Sequence, residues 1–277
     1  MNERAVRNVL VTGGGTGLGK ASAVRFAREG ARVAICGRRE PVLAEAAEAL
    51  REAGAAEART FVCDVRYEDD VAKMASALHE AWGALDVLVN NAAGNFVCPA
   101  EKLSPNGWRA VIEIVLNGTF FCSSAFGRKM IEAHAADGRG RSMVNIVADY
   151  AWGAGPGVIH SASAKAGVLA LTRTLAVEWA RFGIRSNAVS PGPFRSEGTD
   201  KNLWLDEEMA SDVLASIPLG RFTTAEEVAE SIAFLADEEK AGYITGACLP
   251  VDGGHWLTGT NLGFLGAAAR ASLRPGK

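Results

Sequence analysis

Val9-Leu10-Val11-Thr12-Gly13-Gly14-Gly15-Thr16-Gly17-Leu18-Gly19 is the stretch on which the fold turns. Four apolar or β-branched residues form a short buried strand. A glycine-rich loop then runs straight into a helical pattern that lasts to about Glu29. In such a loop Gly13 supplies the tight turn, Gly17 lets the backbone approach a pyrophosphate, and Gly19 permits close packing of helix on strand. Gly14, Gly15, Thr16 and Leu18 complete it. The helix N-terminus offers unpaired N–H groups and the positive end of its dipole to phosphate. The spacing is G-x-x-x-G-x-G, with a longer first gap than G-x-G-x-x-G. A glycine turn alone is a weak signal; between the first strand and first helix of a βαβ unit it reads as a dinucleotide loop.

Outward from this loop, apolar runs alternate with helical patterns. Arg32–Cys36 reads as the second strand and Pro41–Ala53 as the second helix. Ala58–Cys63 is a third strand, Asp69–Trp82 a helix and Leu85–Asn90 a fourth strand. A long helix follows from Pro105 to about Ala133. Strands Ser142–Val147 and Ile184–Val189 flank a helix from about Ser161 to Phe182. A helix over Thr224–Ala236 precedes a terminal strand near Ala247–Val251. Apolar strands alternating with helices predict a parallel sheet covered on both faces. Right-handed crossovers then give a Rossmann-type, doubly wound α/β sheet of about seven strands. With 277 residues the chain suits a single domain over 1–277. Phe194–Ile217 breaks the rhythm with a polar, acidic excursion, and 194–217 is expected to be a substrate lid.

Composition narrows the function classes. At 48% hydrophobic and 22% charged the chain folds as a globular protein and is not disordered. A net charge of −3 lacks the basic footprint that nucleic acid or an anionic membrane surface requires. Five scattered cysteines without a C-x-x-C pair argue against a disulfide framework or a metal site and suit a reducing compartment. Neither a signal-peptide core nor a run of about 18 apolar residues is expected, which points to a cytoplasmic protein with no membrane partner.

The end of the second strand selects the dinucleotide. An acidic residue there takes the ribose hydroxyls of NAD, whereas arginine takes the 2′-phosphate of NADP. The sequence is Ile35-Cys36-Gly37-Arg38-Arg39-Glu40. Arg38 is the choice, because a guanidinium fork matches a phosphate; the alternative is two solvated loop arginines. Asp64, followed by Val65 after the third strand, reads as an adenine contact or as the N-cap of the next turn. The cofactor expected is NADP(H).

The glycine loop, Asn90-Asn91-Ala92-Ala93-Gly94, Lys165 and Pro191-Gly192 together resemble the short-chain dehydrogenase/reductases, over Val9 to Gly254. That resemblance implies hydride transfer with a Tyr-x-x-x-Lys pair and an upstream serine. Here Ser161 stands four residues before Lys165, and Ala148 stands at the usual serine position. A serine hydroxyl is too weak an acid to replace a phenol. The departures resemble one subgroup, the NADPH-dependent 2,4-dienoyl-CoA reductases, through Asn91–Phe96, Leu103-Ser104-Pro105, Val115–Thr119, Tyr150-Ala151 and Ser161–Val168. The resemblance to its mitochondrial type implies a catalytic Tyr150 paired with Asn95, with Ser161 and Lys165 on the helix. The peroxisomal type has an aspartate where this chain has Val115, and Val251–Leu257 looks closer to that type.

By the same resemblance Asn91, Pro191, Gly192, Pro193 and Phe194 hold the cofactor with Lys165. Arg66, Phe96 and Ser104 match substrate-side positions, the substrate is an acyl-CoA thioester, and the assembly is a homotetramer. Each residue also has a plainer role open to it. Tyr150 is a buried aromatic, Asn95 a turn residue, Ser161 a helix N-cap and Arg66 a solvated charge. His160 and His255 read as structural, since neither a nucleophile motif nor a metal spacing surrounds them. The alternative activities are a trans-2-enoyl-CoA or carbonyl (3-oxoacyl) reductase and a non-catalytic NADP(H)-binding regulator.

Overall fold

The computed structural model describes residues 6–194 and 207–258. Each apolar run becomes a strand: β1 Asn8–Thr12, β2 Arg32–Gly37, β3 Glu57–Val62, β4 Val87–Asn90, β5 Arg141–Ile146, β6 Ile184–Pro191 and β7 Cys248–Val251. They form one sheet of order β3-β2-β1-β4-β5-β6-β7 with every pair parallel. The chain winds from β1 outward to β3, then returns to β4 on the other side of β1. The strand order therefore reverses between β1 and β4, the place where a doubly wound sheet opens a crevice at its carboxyl ends.

The helices are α1 Gly17–Ala27, α2 Glu40–Glu52, α3 Glu68–Trp82, α4 Pro105–Ile112, α5 Gly118–Asp137, α6 Ile159–Glu178, α7 Glu207–Ser216, α8 Ala225–Ala236, α9 Glu238–Ala241 and α10 His255–Thr258. Alternate residues of β1 feed opposite faces of the sheet. Val9 and Val11 join Val33, Ile35, Phe26, Leu43 and Ile232. Leu10 joins Ala34, Leu88, Leu78, Phe126 and Met130. Each of these side chains larger than alanine contributes roughly 1.5–3 kcal/mol through burial. A buried polar chain ties the middle of the sheet together. Asn90 Nδ2 donates to Asn145 Oδ1 at 2.8 Å, and Asn145 Nδ2 donates to Thr172 Oγ1 of α6 at 2.9 Å.

Local chemistry sets the helix ends. Ser104 caps α4 by accepting from Gly107 N at 3.1 Å, with Pro105 following it. The predicted helix from Pro105 is continuous to Asp137, but a π turn at Glu113–Asn117 separates α4 from α5. This run is long and apolar enough to cross a membrane, contrary to the sequence expectation. Its apolar residues Cys122, Phe126 and Met130 are packed under the sheet. Of the expected lid at 194–217, residues 195–206 lie outside the described residues. The remainder includes the helix α7, whose even mix of polar and apolar residues hid it.

Candidate active site

A cavity of about 600 Å³ opens at the carboxyl ends of β1, β4, β5 and β6. Its floor is the glycine loop, where Gly13 adopts φ +65°. A Cβ on Gly19 would lie 2.2 Å from Gly13 O, so only glycine lets α1 start this close to β1. Asn91 stitches the loop to β4: its Nδ2 donates to Thr12 O at 2.9 Å and to Gly13 O at 3.3 Å. Thr12 Oγ1 in turn accepts from Asn91 N and Ala92 N at 3.0 and 2.9 Å. Gly13, Gly15, Thr16, Leu18 and Gly19 line the cavity, Gly14 N donates to Cys36 O at 3.3 Å, and Gly17 opens α1. The predicted Asn91, Pro191, Gly192, Pro193 and Phe194 line it too.

Arg38 and Arg39 both face this cavity beside Asp64 and Val65. Asp64 caps the turn that precedes α3, its Oδ1 accepting from Arg66 N at 3.2 Å while its carbonyl accepts from Tyr67 N at 3.0 Å. Its two carboxylate oxygens also accept from the Arg66 guanidinium at 2.6–3.0 Å. That guanidinium, with the charge of Arg38 adding to it, holds the Asp64 carboxyl below the usual range. Arg66 is thereby turned toward Asp64 and Tyr67. Phe96 packs on the His160 ring with centroids 4.4 Å apart, and Ser104 caps α4. Arg66, Phe96 and Ser104 do not line the cavity as the described residues bound it.

The predicted catalytic residues converge. Tyr150 sits on a 3₁₀ turn, Asp149–Ala151, just past β5. Its hydroxyl lies 3.1 Å from Ser161 Oγ, and Asn95 Nδ2 donates to it at 3.4 Å. Asn95 also shapes its own turn, accepting from Phe96 N at 2.9 Å. Ser161 is not the N-cap: α6 starts at Ile159 from Val158, which places Ser161 in the first turn facing Tyr150. Lys165 follows one turn later, buried, with Nζ donating to Ile146 O at the end of β5. Burial lowers its ammonium to about 8. Burial also raises the Tyr150 phenol above its ordinary value, outweighing the hydrogen bonds from Ser161 and Asn95. The phenol is therefore neutral at physiological pH. It is a hydrogen-bond donor aimed into the cavity that Lys165 also lines.

One residue of the cavity wall reads as structural in the sequence. His255 lines the cavity, and its Nδ1 lies 3.1 Å from Asp149 Oδ2. The usable signal was Asp252-Gly253-Gly254-His255: both glycines adopt positive φ, 63° and 86°, and turn the chain off β7. Among the described residues no cluster of three or more His, Cys, Asp or Glu could hold a metal.

The family model described as enoyl-(acyl carrier protein) reductase matches residues 13–255. A Bacillus subtilis protein named probable 2,4-dienoyl-CoA reductase, (2E)-enoyl-CoA-producing, is 49% identical over 90% of this chain and 96% of its own. A Caenorhabditis elegans protein named probable 2,4-dienoyl-CoA reductase 3, (3E)-enoyl-CoA-producing, is 38% identical over 92% of this chain and 82% of its own. The crystal structure of a putative 2-deoxy-D-gluconate 3-dehydrogenase from Agrobacterium tumefaciens with bound NADP is similar at 34% identity and TM-score 0.80. It covers 91% of this chain and 96% of that one.

Proposed function

The chain belongs to the short-chain dehydrogenase/reductase family, and on that premise we propose that it reduces 2,4-dienoyl-CoA thioesters with NADPH. The observation that carries the reading is the Tyr150 hydroxyl held between Asn95 and Ser161, with serine at the helix position where a Tyr-x-x-x-Lys reductase has its acid. A ketone reductase must deliver a proton to an alkoxide. A dienoyl reductase needs only to stabilise a dienolate oxygen, which a neutral phenol and an amide N–H do well.

The cavity fits a nicotinamide dinucleotide: the glycine loop lines it where α1 begins at Gly17, and the unpaired N–H groups and dipole of that helix N-terminus suit a pyrophosphate. When bound, the reduced nicotinamide supplies hydride to the distal carbon of the diene. Tyr150 and Asn95 donate to the thioester oxygen as charge gathers there. Ser161 holds the phenol in place, and Lys165 lends positive charge and holds the nicotinamide ribose. Pro191, Gly192, Pro193 and Phe194 cradle the carboxamide. Charge density in a dienolate is greatest at the α-carbon, so protonation there gives a 3-enoyl-CoA. The second reading, protonation at the γ-carbon to a 2-enoyl-CoA, is favoured by the product named for the Bacillus subtilis relative.

A panel of 2,4-dienoyl-CoA, trans-2-enoyl-CoA and 3-oxoacyl-CoA tests the reading, with NADPH consumption measured and products identified. Only the dienoyl thioester should be consumed. Faster turnover of either of the others would assign the site to an enoyl or carbonyl reductase. NADPH binding without consumption by any would make the chain a regulator.

Cofactor choice rests on Arg38, at the end of β2 where an acid would select NAD. Arg38→Asp is expected to weaken NADPH by roughly ten- to a hundredfold, the loss of a charge-assisted contact, and to affect NADH less. Titration of both dinucleotides checks this; an unchanged NADPH/NADH ratio would contradict it.

We further propose a cytoplasmic homotetramer. Free thiols at Cys36, Cys63, Cys98, Cys122 and Cys248 suit a reducing compartment. Phe120 on α5 and Val177 on α6 are 53% and 81% exposed, and these two long helices offer apolar faces for association. Light scattering at micromolar concentration should return four times the chain mass, and a monomer would refute it.

A further inference from the structure

We propose that His160 is a positioning residue for the oxyanion donors: through Phe96 it sets the Asn95 amide on the Tyr150 hydroxyl. The inference rests on the dienoyl-CoA reading above. Asn95 needs such a support. Residues 91–99 carry no regular secondary structure, so neither a helix nor a strand fixes the side chain that must reach the thioester oxygen. A misplacement of about 1 Å in a reacting geometry costs on the order of a hundredfold in rate. The segment must therefore take its rigidity from what it packs on.

It packs on the start of α6. The Phe96 and His160 rings meet with centroids 4.4 Å apart and planes tilted by 53°, a close aromatic contact. His160 is buried in the first turn of α6, next to Ser161. Burial holds its imidazolium below the ordinary pKa, so the ring that Phe96 meets is neutral at pH 7. A second contact lies two residues on, where Cys98 N donates to Gly157 O at 2.8 Å. Gly157 adopts φ +73°, and a Cβ there would lie 2.8 Å from Val97 Cγ1. The coil that carries Asn95 is thus held against the entry to α6 at both places.

The contacts close on themselves. Phe96 N donates to Asn95 Oδ1 at 2.9 Å, and Asn95 Nδ2 donates to the Tyr150 hydroxyl at 3.4 Å. That hydroxyl lies 3.1 Å from Ser161 Oγ, and Ser161 follows His160 on the helix. The path from His160 through Phe96, Asn95, Tyr150 and Ser161 returns to the residue beside its start. The phenol is therefore gripped from two sides that share one anchor. Opening the path at His160 frees the Asn95 side and leaves the Ser161 side bonded. His160 does not line the cavity, so its influence on the chemistry passes through these neighbours. A specific failure follows: losing His160 costs what Asn95 contributes, and nothing beyond it.

The test is a double-mutant cycle on kcat with a 2,4-dienoyl-CoA and NADPH. Asn95→Ala alone should lower kcat by about 10²–10³, the cost of one oxyanion donor. His160→Ala should lower it by about ten- to a hundredfold, with NADPH affinity near wild type, because the glycine loop and Lys165 are untouched. In the Asn95→Ala background, His160→Ala should cost less than about twofold more, since residues that act through one another are not additive. Phe96→Leu removes the other ring of the contact from a half-buried position and should repeat the pattern. It carries the cycle if His160→Ala does not fold. Wild-type kcat in a folded His160→Ala, or losses that multiply in the double variant, would overturn the assignment. A KM for dienoyl-CoA that rises in Phe96→Leu and stays raised in the Asn95→Ala background would make Phe96 a substrate contact and overturn it too. Failure of the wild type to consume dienoyl-CoA at all would instead sink the functional reading beneath it.

Discussion

Tyr150→Phe is expected to lower kcat on a 2,4-dienoyl-CoA by about 10²–10³, the usual cost of one lost oxyanion donor. The substitution deletes a single oxygen from a half-buried ring, so folding and NADPH binding should persist. It would leave Asn95 Nδ2 and Ser161 Oγ with no hydroxyl between them, since both bond that oxygen in the native site. Ser161→Ala should cost less, because the serine orients the phenol without moving a proton to substrate. Steady-state kinetics of both variants, with dinucleotide affinity measured alongside, check the order of the two effects. Full turnover in Tyr150→Phe together with none in Ser161→Ala would replace the phenol with a serine-centred mechanism.

Lys165→Met should separate stability from activity. Burial lowers this ammonium from 10.5 to about 8. The unfolded chain therefore holds the proton more tightly between those values, and stability rises with pH across that window. Below about pH 8 the native protein carries a buried charge at full cost. At about 1.4 kcal/mol for each pH unit the cost is roughly 3–4 kcal/mol, offset in the variant by the carbonyl of Ile146 that methionine leaves without its donor. Lys165→Met is thus expected to melt several degrees higher at pH 7 and to lose the gain between pH 8 and 10.5. Its turnover should fall at least about a hundredfold, because the charge beside the nicotinamide ribose is gone. A strained functional group that lowers stability is a common trade in enzymes. Thermal melts at pH 7 and pH 10 decide it, and an unchanged pH dependence of melting would contradict the account.

Residues Val9–Thr12 and their glycine loop could be read directly, because a strand buried on both faces is an unbroken apolar run and the loop's glycines answer to steric needs. The positive φ of Gly13 and the 2.2 Å approach at Gly19 match the roles expected of them. Helix α7 was not readable: polar and apolar residues are equal in number along it, and among the described side chains Ala210 is buried and Val213 lines the cavity. The π turn at Glu113–Asn117 leaves no periodic trace, since one extra residue per turn is absorbed inside a continuous helix. Ser161 shows how little a boundary of two residues needs to move to change a role, from helix cap to tyrosine partner.

Site geometry over long sequence separations is the part that pattern alone does not carry. Tyr150 and Asn95 lie 55 residues apart and meet only because β4 and β5 are neighbours in the sheet; their pairing came from motif resemblance. His255 and Asp149 lie 106 residues apart. No period connects them, and a lone histidine after a terminal strand reads as structural until the turn at Gly253 and Gly254 is seen.

In the proposed mechanism hydride enters the far end of a conjugated system while Tyr150 and Asn95 hold the charge on the thioester oxygen. NADPH deuterated at the transferred position, with 2,4-dienoyl-CoA as substrate and the product analysed by NMR, tests this. One deuterium per product is expected, on the former C5. Deuterium at C3, or none in the acyl chain while NADPH is consumed, would contradict it.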